Sequence, residues 1–253
     1  MITYSQLGNN GRLGNQMFQY ATLFSIGLTR GFEIGIPKDT KISKVFDLKH
    51  ANLLDSMSVD KIYKERDFSF DASIFAIPDC CDINGYFQSG FYFNACKEAI
   101  FKEFKFKSDI EEKASHNLQE YPGKNLCTLH IRRGDYKTLS HYHTNLGSDY
   151  YKSAINIIMN SVSSTHFLVF SDEPEWCKQE IIGDNFSVVD LKDDAVELCM
   201  MSKCKLHIIS NSSYSWWGAY LSNSPAVIAP KNWFGPQGPQ NFNSIYENEW
   251  VRV

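Results

Sequence analysis

The sequence predicts an α/β protein built on parallel sheets, and three observations predict it. Short apolar, β-branched segments alternate with stretches of helical periodicity, most regularly from Asn125 onward. The chain opens on strand, glycine-rich loop, helix, strand, which is the pattern of a βαβ unit. Each polar motif with chemical potential falls where a strand is expected to end, and parallel sheets bind ligands beyond those ends.

Residues 2–7 read as the first strand, running into Gly8-Asn9-Asn10-Gly11-Arg12-Leu13-Gly14. Met17, Tyr20, Ala21, Phe24 and Leu28 recur at three- and four-residue steps and predict a helix. Residues 32–37 form a second strand stopped by Pro37. From Lys38 to Phe106 the pattern weakens; a helix over 94–106 places Cys96, Ile100, Phe101 and Phe104 on one face. A boundary near Ser108 divides the chain into domains 1–107 and 108–253. Residues 108–123 read as a linking helix and a Pro-Gly turn. Strands then follow over 126–132, 165–170, 186–191, 206–210 and 226–229, separated by helices over 148–162, 173–182, 195–202 and 213–222.

With 253 residues, 43% hydrophobic and 21% charged, the chain can bury a sizeable core. A net charge of −4 without a basic block argues against nucleic acid as the main partner. Seven cysteines without a Cys-x-x-Cys, three of them (Cys127, Cys199, Cys204) in apolar stretches, fit a reducing compartment. The N-terminus lacks the features of a signal peptide, and no window reaches the roughly 20 apolar residues of a membrane span. The expected location is cytoplasmic, with peripheral contact at the inner membrane compatible.

His130-Ile-Arg-Arg-Gly-Asp-Tyr136 ends a strand with two arginines. His130 and Arg132 share one face and Arg133 the other. Two readings stand: a structural Arg-Asp pair, or a fork of donors for a diphosphate, with Asp135 able to accept a proton. The position at a strand end favours the second. In Ser171-Asp-Glu-Pro-Glu175, Asp172 reads as an N-cap with Glu175 completing a capping box, or as a contact to a ribose or base; both can hold together. Ser210-Asn-Ser-Ser213 opens a helix with more small polar residues than one cap requires, which suits an anion site. His141-x-His143 lacks a third ligand and reads as solvated; Cys204-x-x-His207 reads as core. No metal is expected.

Taken together, Gly11-Arg-Leu-Gly-Asn-Gln-Met-Phe-Gln-Tyr-Ala21, Gly85-Tyr-Phe-Gln-Ser89, His130 to Tyr136, Phe170-Ser-Asp-Glu-Pro-Glu-Trp176 and Ser210 to Leu221 resemble the bacterial α-1,2-fucosyltransferases of glycosyltransferase family 11. The resemblance implies a GT-B type fold: two facing Rossmann-like domains, with an acceptor-side N-terminal domain and the donor site in the C-terminal one. It implies GDP-fucose as co-substrate, no metal or other cofactor, inversion at the anomeric carbon and a glycan acceptor. It places Arg132 on the β-phosphate, His130 near the nucleoside, Asp172 near the ribose or base, Glu197 on guanine, and Asn211, Ser212 and Ser213 around the phosphates. Asp135 is the expected base, joining Arg132 and His130 as the catalytic set. Asn15, Gln16, Tyr86 and Gln88, within the first two motifs, are expected at the acceptor or cleft. The chain departs from the family pattern at Arg12, Asp172-Glu173 and Tyr214, where a second Gly, a double Asp and Phe are commoner.

Overall fold

A parallel strand covered on both faces must be apolar throughout, and that requirement separates the two halves of this chain. The computed structural model describes every residue except Gly123 and Ile182. It divides into two units: Met1–Lys107 with Asn241–Glu247, and Ser108–Gln240 with Asn248–Val253. The sequence assigns 241–247 to the second half. That segment is bonded to the first: Ser244 Oγ accepts from Phe70 N at 3.2 Å, Ser244 O from Ser89 Oγ at 2.6 Å, and Glu247 from Asn94 at 2.9 Å.

In the first unit the strands are β1 (Ile2–Thr3), β2 (Ile34–Pro37), β3 (Ala51–Leu54), β4 (Lys61–Lys64) and β5 (Cys81–Asn84). They pair in parallel in the order β3-β2-β1-β5-β4. Helix α1 (Leu13–Arg30) buries almost its whole length and ends at Gly31, whose φ of 68° closes the helix in the left-handed region. Short α2 (Lys41–Val45) is closed by a Thr40–Ser43 capping box. The expected helix over 94–106 is shorter, α3 (Lys97–Glu103), preceded by a 3₁₀ turn. Only Ile2–Thr3 of the first expected strand is extended, because turns begin at Ser5.

The second unit opens with α4 (Ser108–Leu118). It continues as β6 (Asn125–Ile131), α5 (Ser148–Ser161), β7 (Thr165–Ser171), α6 (Pro174–Glu180), β8 (Phe186–Val189), α7 (Asp194–Ser202), β9 (Leu206–Ile208), α8 (Ser213–Leu221), β10 (Ala226–Ala229) and β11 (Val251–Arg252). The expected Pro-Gly turn reaches Gly123 and the expected helix over 173–182 reaches Ile182, both outside the described residues. The strand order is β11-β10-β9-β6-β7-β8, all parallel. Counted from β6 this is the 3-2-1-4-5-6 order of a Rossmann fold, with its switch point between β6 and β9. Cys127, Leu129, Ile131, Phe167, Val169 and Ile208 are fully buried at its centre. His207 is core as expected, its Nδ1 2.8 Å from Thr128 Oγ1 and its Nε2 3.2 Å from Cys204 O.

Helices α7 and α8 touch where Gly218 lets the backbones close in. A Cβ there would sit 2.8 Å from Met201 Cβ. Gly218→Ala therefore forces two packed helices apart and is expected to destabilise the protein by about 1–3 kcal/mol. Urea unfolding checks this; an unchanged midpoint contradicts it. No helix among the described residues is long and apolar enough to cross a membrane.

Candidate functional site

The switch point of the second sheet brings together two segments 80 residues apart in sequence. His130, near the end of β6, is 5% exposed, and its Nδ1 lies 2.7 Å from Ser210 Oγ just beyond β9. Burial, reinforced by the neighbouring Arg132 charge, pushes the imidazole down to about 3, so His130 is neutral at ordinary pH. It is a polar strut and not a cation.

One residue beyond β6, Arg132 is gripped by two carboxylates. Its Nη2 donates to Asp135 Oδ1 at 2.6 Å, and its Nη1 lies 3.1 Å from Asp172 Oδ2. The guanidinium also lies 5.4 Å above the Tyr136 ring. Arg133 points elsewhere, as the two-residue strand period requires. Its Nε donates to Glu173 Oε2 at 3.2 Å and its Cζ sits 3.7 Å over Trp176. Glu173 also binds Lys137, and these two cations hold its carboxyl below the usual range, the Lys137 hydrogen bond contributing most. Three cations, Arg132, Arg133 and Lys137, thus meet three carboxylates, Asp135, Asp172 and Glu173.

Asp172 does not cap α6. The N-cap is Glu173, without a side-chain cap, and the Glu173 N–H is taken by Ser171 Oγ at 3.0 Å. Asp172 instead accepts the Arg133 N–H at 3.1 Å while holding Arg132. This works because residue 134 is glycine: a Cβ there would run into Asp172 Oδ2.

On the β9 side, Ser212 is the N-cap of α8, accepting from Tyr214 N at 3.3 Å, and Ser213 is the first helical residue. Asn211 is 1% exposed, and its Nδ2 donates to Thr144 O and Trp233 O, each at 2.8 Å. Its amide N–H groups therefore tie the loops together. Glu197 on α7 accepts Leu191 N at 3.0 Å. Burial, helped by the charges of Asp190, Asp194 and Asp193, pushes its carboxyl up to about 7.

Sequence reasoning gave no role to Trp176, Lys137 or Tyr136, and its reading of His143 as solvated is corrected by the structure. His141 is exposed, as expected, but His143 stacks on Tyr136 with centroids 4.3 Å apart and planes 2° off parallel. Burial of its ring lowers its pKa. Its bridge to Phe234 anchors the loop beside Arg132.

In the first unit, Gln88 Nε2 donates to Asn15 Oδ1 at 2.8 Å, so the glycine-loop and Gly85–Ser89 motifs meet. Tyr86 is 45% exposed. Gln16 is not at a surface: it is 4% exposed and its Oε1 accepts Ile42 N at 3.2 Å, holding α2. The turn is fixed by Glu65, unnoticed in the sequence, which accepts Tyr86 N at 2.6 Å and Phe87 N at 2.9 Å. Buried Phe87 adopts φ 51°, and a Cβ on Gly85 would collide with Glu65.

Among the described residues no group of three or more His, Cys, Asp or Glu could hold a metal ion. The family model for glycosyl transferase family 11 matches residues 3–253. The chain belongs to that family. Its relatives include the O-antigen biosynthesis glycosyltransferase WbnK of Escherichia coli, 26% identical over 96% of this chain and 98% of that protein. An α-1,2-colitosyltransferase of Escherichia coli is 28% identical over 96% of each chain. A mouse galactoside 2-α-L-fucosyltransferase, Sec1, is 25% identical over 96% of this chain and 72% of its own. Among solved structures, fucosyltransferase NodZ from Bradyrhizobium aligns with a TM-score of 0.58 at 12% identity, covering 89% of this chain and 94% of that one. POFUT1 in complex with GDP-fucose aligns at 0.56 and 11% identity, covering 90% and 97%. Those likenesses show the fold, the GT-B type with two parallel-sheet α/β domains, and the family 11 resemblance of the motifs is shown by the family match.

Proposed function

We propose that this family 11 glycosyltransferase transfers L-fucose from GDP-β-L-fucose to the 2-hydroxyl of a terminal β-galactoside, with inversion and without a metal. The observation that carries the reading is Arg132 standing at the switch point opposite the Ser212–Ser213 helix start. A guanidinium and the positive end of a nine-residue helix together suit a diphosphate. The 2-hydroxyl attacks C1 of fucose, the C1–O bond to the β-phosphate breaks, and the developing negative charge is met by Arg132 and the α8 N-terminus. Asp135 is the proposed base. In the structure it is bound to Arg132, and the surrounding charges already balance. An arriving diphosphate therefore replaces Asp135 at Nη2 and releases its carboxylate toward the acceptor.

Glu197 is the proposed guanine contact, its carboxylate accepting from N1–H and N2–H. A carboxyl near 7 must lose its proton to do this, so GDP affinity is expected to rise as pH climbs toward 7. From about pH 5.5 to about pH 7.5 the expected gain is about 25-fold, the ratio of the ionised fractions. Calorimetry on wild type and Glu197→Gln checks it, since the difference removes the titration of the GDP phosphate itself. Equal pH slopes contradict the assignment.

The relative named as a colitosyltransferase favours a second reading, a different donor sugar on the same linkage. Assays with GDP-fucose and a colitosyl donor against a panel of β-galactosides separate the two. A third outcome, GDP binding without donor turnover, identifies a silent nucleotide-binding protein. The proposed location is cytoplasmic.

A further inference from the structure

Strands β4 and β5 end in register, Lys64 opposite Asn84, and the next residues, Glu65 and Gly85, lie against each other. A Cβ on Gly85 would come within 2.4 Å of Glu65 Cβ. Glu65 N donates to Asn84 O at 2.8 Å, which fixes the acid beside the neighbouring strand. Its carboxylate then spans the start of the turn beyond β5. Oε2 accepts Tyr86 N at 2.6 Å and Oε1 accepts Phe87 N at 2.9 Å. Two separate oxygens meet two adjacent N–H groups, a demand that an ionised carboxylate satisfies in full.

The turn needs that grip because Phe87, at φ 51°, holds a left-handed conformation unfavourable for a bulky aromatic. Its ring is buried edge-on to Tyr4 and Tyr92, with centroids at 6.4 Å and 5.6 Å, and Glu65 takes its N–H. Tyr86, exposed, and Gln88, bonded to Asn15, flank this strained residue, so both take their placement from it.

Burial pushes the Glu65 carboxyl up to about 7, the two N–H bonds opposing and the Asp67 charge adding to it. The Tyr4 and Tyr92 phenols also face it, both raised by burial and so neutral in this range. Arg66, next in sequence, is exposed, and its charge acts on Tyr63 and Asp71. A proton on Glu65 weakens one of the two bonds it accepts. The fully bonded turn is thus present above about 7 and lost as pH falls through that value.

We propose that Glu65 is a positioning residue for transfer: its ionised carboxylate, acting through the Tyr86–Phe87 backbone, sets Tyr86 and Gln88 for the acceptor. The role in transfer rests on the fucosyl-transfer reading above; the hold on the turn does not.

The test joins amide NMR to steady-state kinetics on the full chain, with GDP-fucose saturating and a terminal β-galactoside varied. In wild type the Tyr86 and Phe87 amide signals are expected to titrate with a midpoint near 7. The acceptor KM is expected to rise about tenfold from about pH 8 to about pH 6, the ratio of the ionised fractions. In Glu65→Gln, whose NH2 cannot accept, both titrations are expected to vanish. Its KM is expected to lie about tenfold above that of wild type at about pH 8, with a smaller change in kcat. GDP affinity, with its own pH slope from Glu197, is expected to be unaltered by the substitution. A flat wild-type KM, a variant that keeps the wild-type KM or slope, or amides that do not titrate overturns the proposal. Should the variant fail to fold, the wild-type profiles decide. If the amides titrate as described and GDP-fucose is not consumed, the fucosyl reading fails and the hold on the turn stands.

Discussion

Arg132→Ala is expected to lower kcat by about 10²-fold or more, the scale for losing one preorganised donor to a developing oxyanion. Two effects combine. The guanidinium proposed to meet the β-phosphate disappears, and Asp135 and Asp172, 2.6 Å and 3.1 Å from it in the wild type, lose their cation and are expected to repel the donor. The Arg132→Ala/Asp135→Asn double variant separates these. If repulsion contributes, the added substitution recovers part of the lost GDP affinity, a coupling a double-mutant cycle measures. Asp135→Asn alone is then expected to bind GDP more tightly and turn over more slowly. Near-normal kcat in Arg132→Ala contradicts the clamp.

Gly134→Ala has the second largest expected effect, although it removes no functional group. The added Cβ would displace Asp172, which fixes both the Arg132 side chain and the Arg133 N–H at 3.1 Å. A shift of about 1 Å in a catalytic arginine costs on the order of 10²-fold in rate. The fold should survive, because residue 134 lies in a turn beyond β6 and not in the core. The expected signature is a kcat fall of about 10–10²-fold with circular dichroism unchanged. A kcat within twofold of wild type shows that the position of Asp172 is not critical.

The legibility of the sequence follows from the same physics. Strands β6 and β7 are buried along almost their whole length, so their sequences carry unbroken apolar runs. Strands β3 and β4, by contrast, are half exposed; Lys61-Ile-Tyr-Lys64 lies at the sheet edge and shows no such run. The passage of 241–247 back to the first unit is invisible in periodicity because it depends on bonds such as Ser244 to Ser89. The positions of Arg132 just beyond a strand and of Ser212 at a helix start are legible in the sequence, since strand ends and helix starts are local features. Asp172 had two local readings, and only its contact with Arg133 across 39 residues decides against capping. Trp176 under Arg133 and His143 against Tyr136 are contacts that no spacing rule anticipates. Gln16 looked functional because it sits in a polar motif, but its partner Ile42 N places it inside. For Glu65, Gly85 was the available signal: it marks a place where something must approach closely.

The central claim, donor grip by the second unit and transfer of fucose with inversion, is tested most directly by product analysis. The full chain is incubated with GDP-β-L-fucose and a terminal β-galactoside, and the product linkage is read by NMR. The account predicts release of GDP and one new α-anomeric fucose on O2 of galactose. Intact GDP-fucose in the presence of tight GDP binding, or fucose in another linkage, contradicts it.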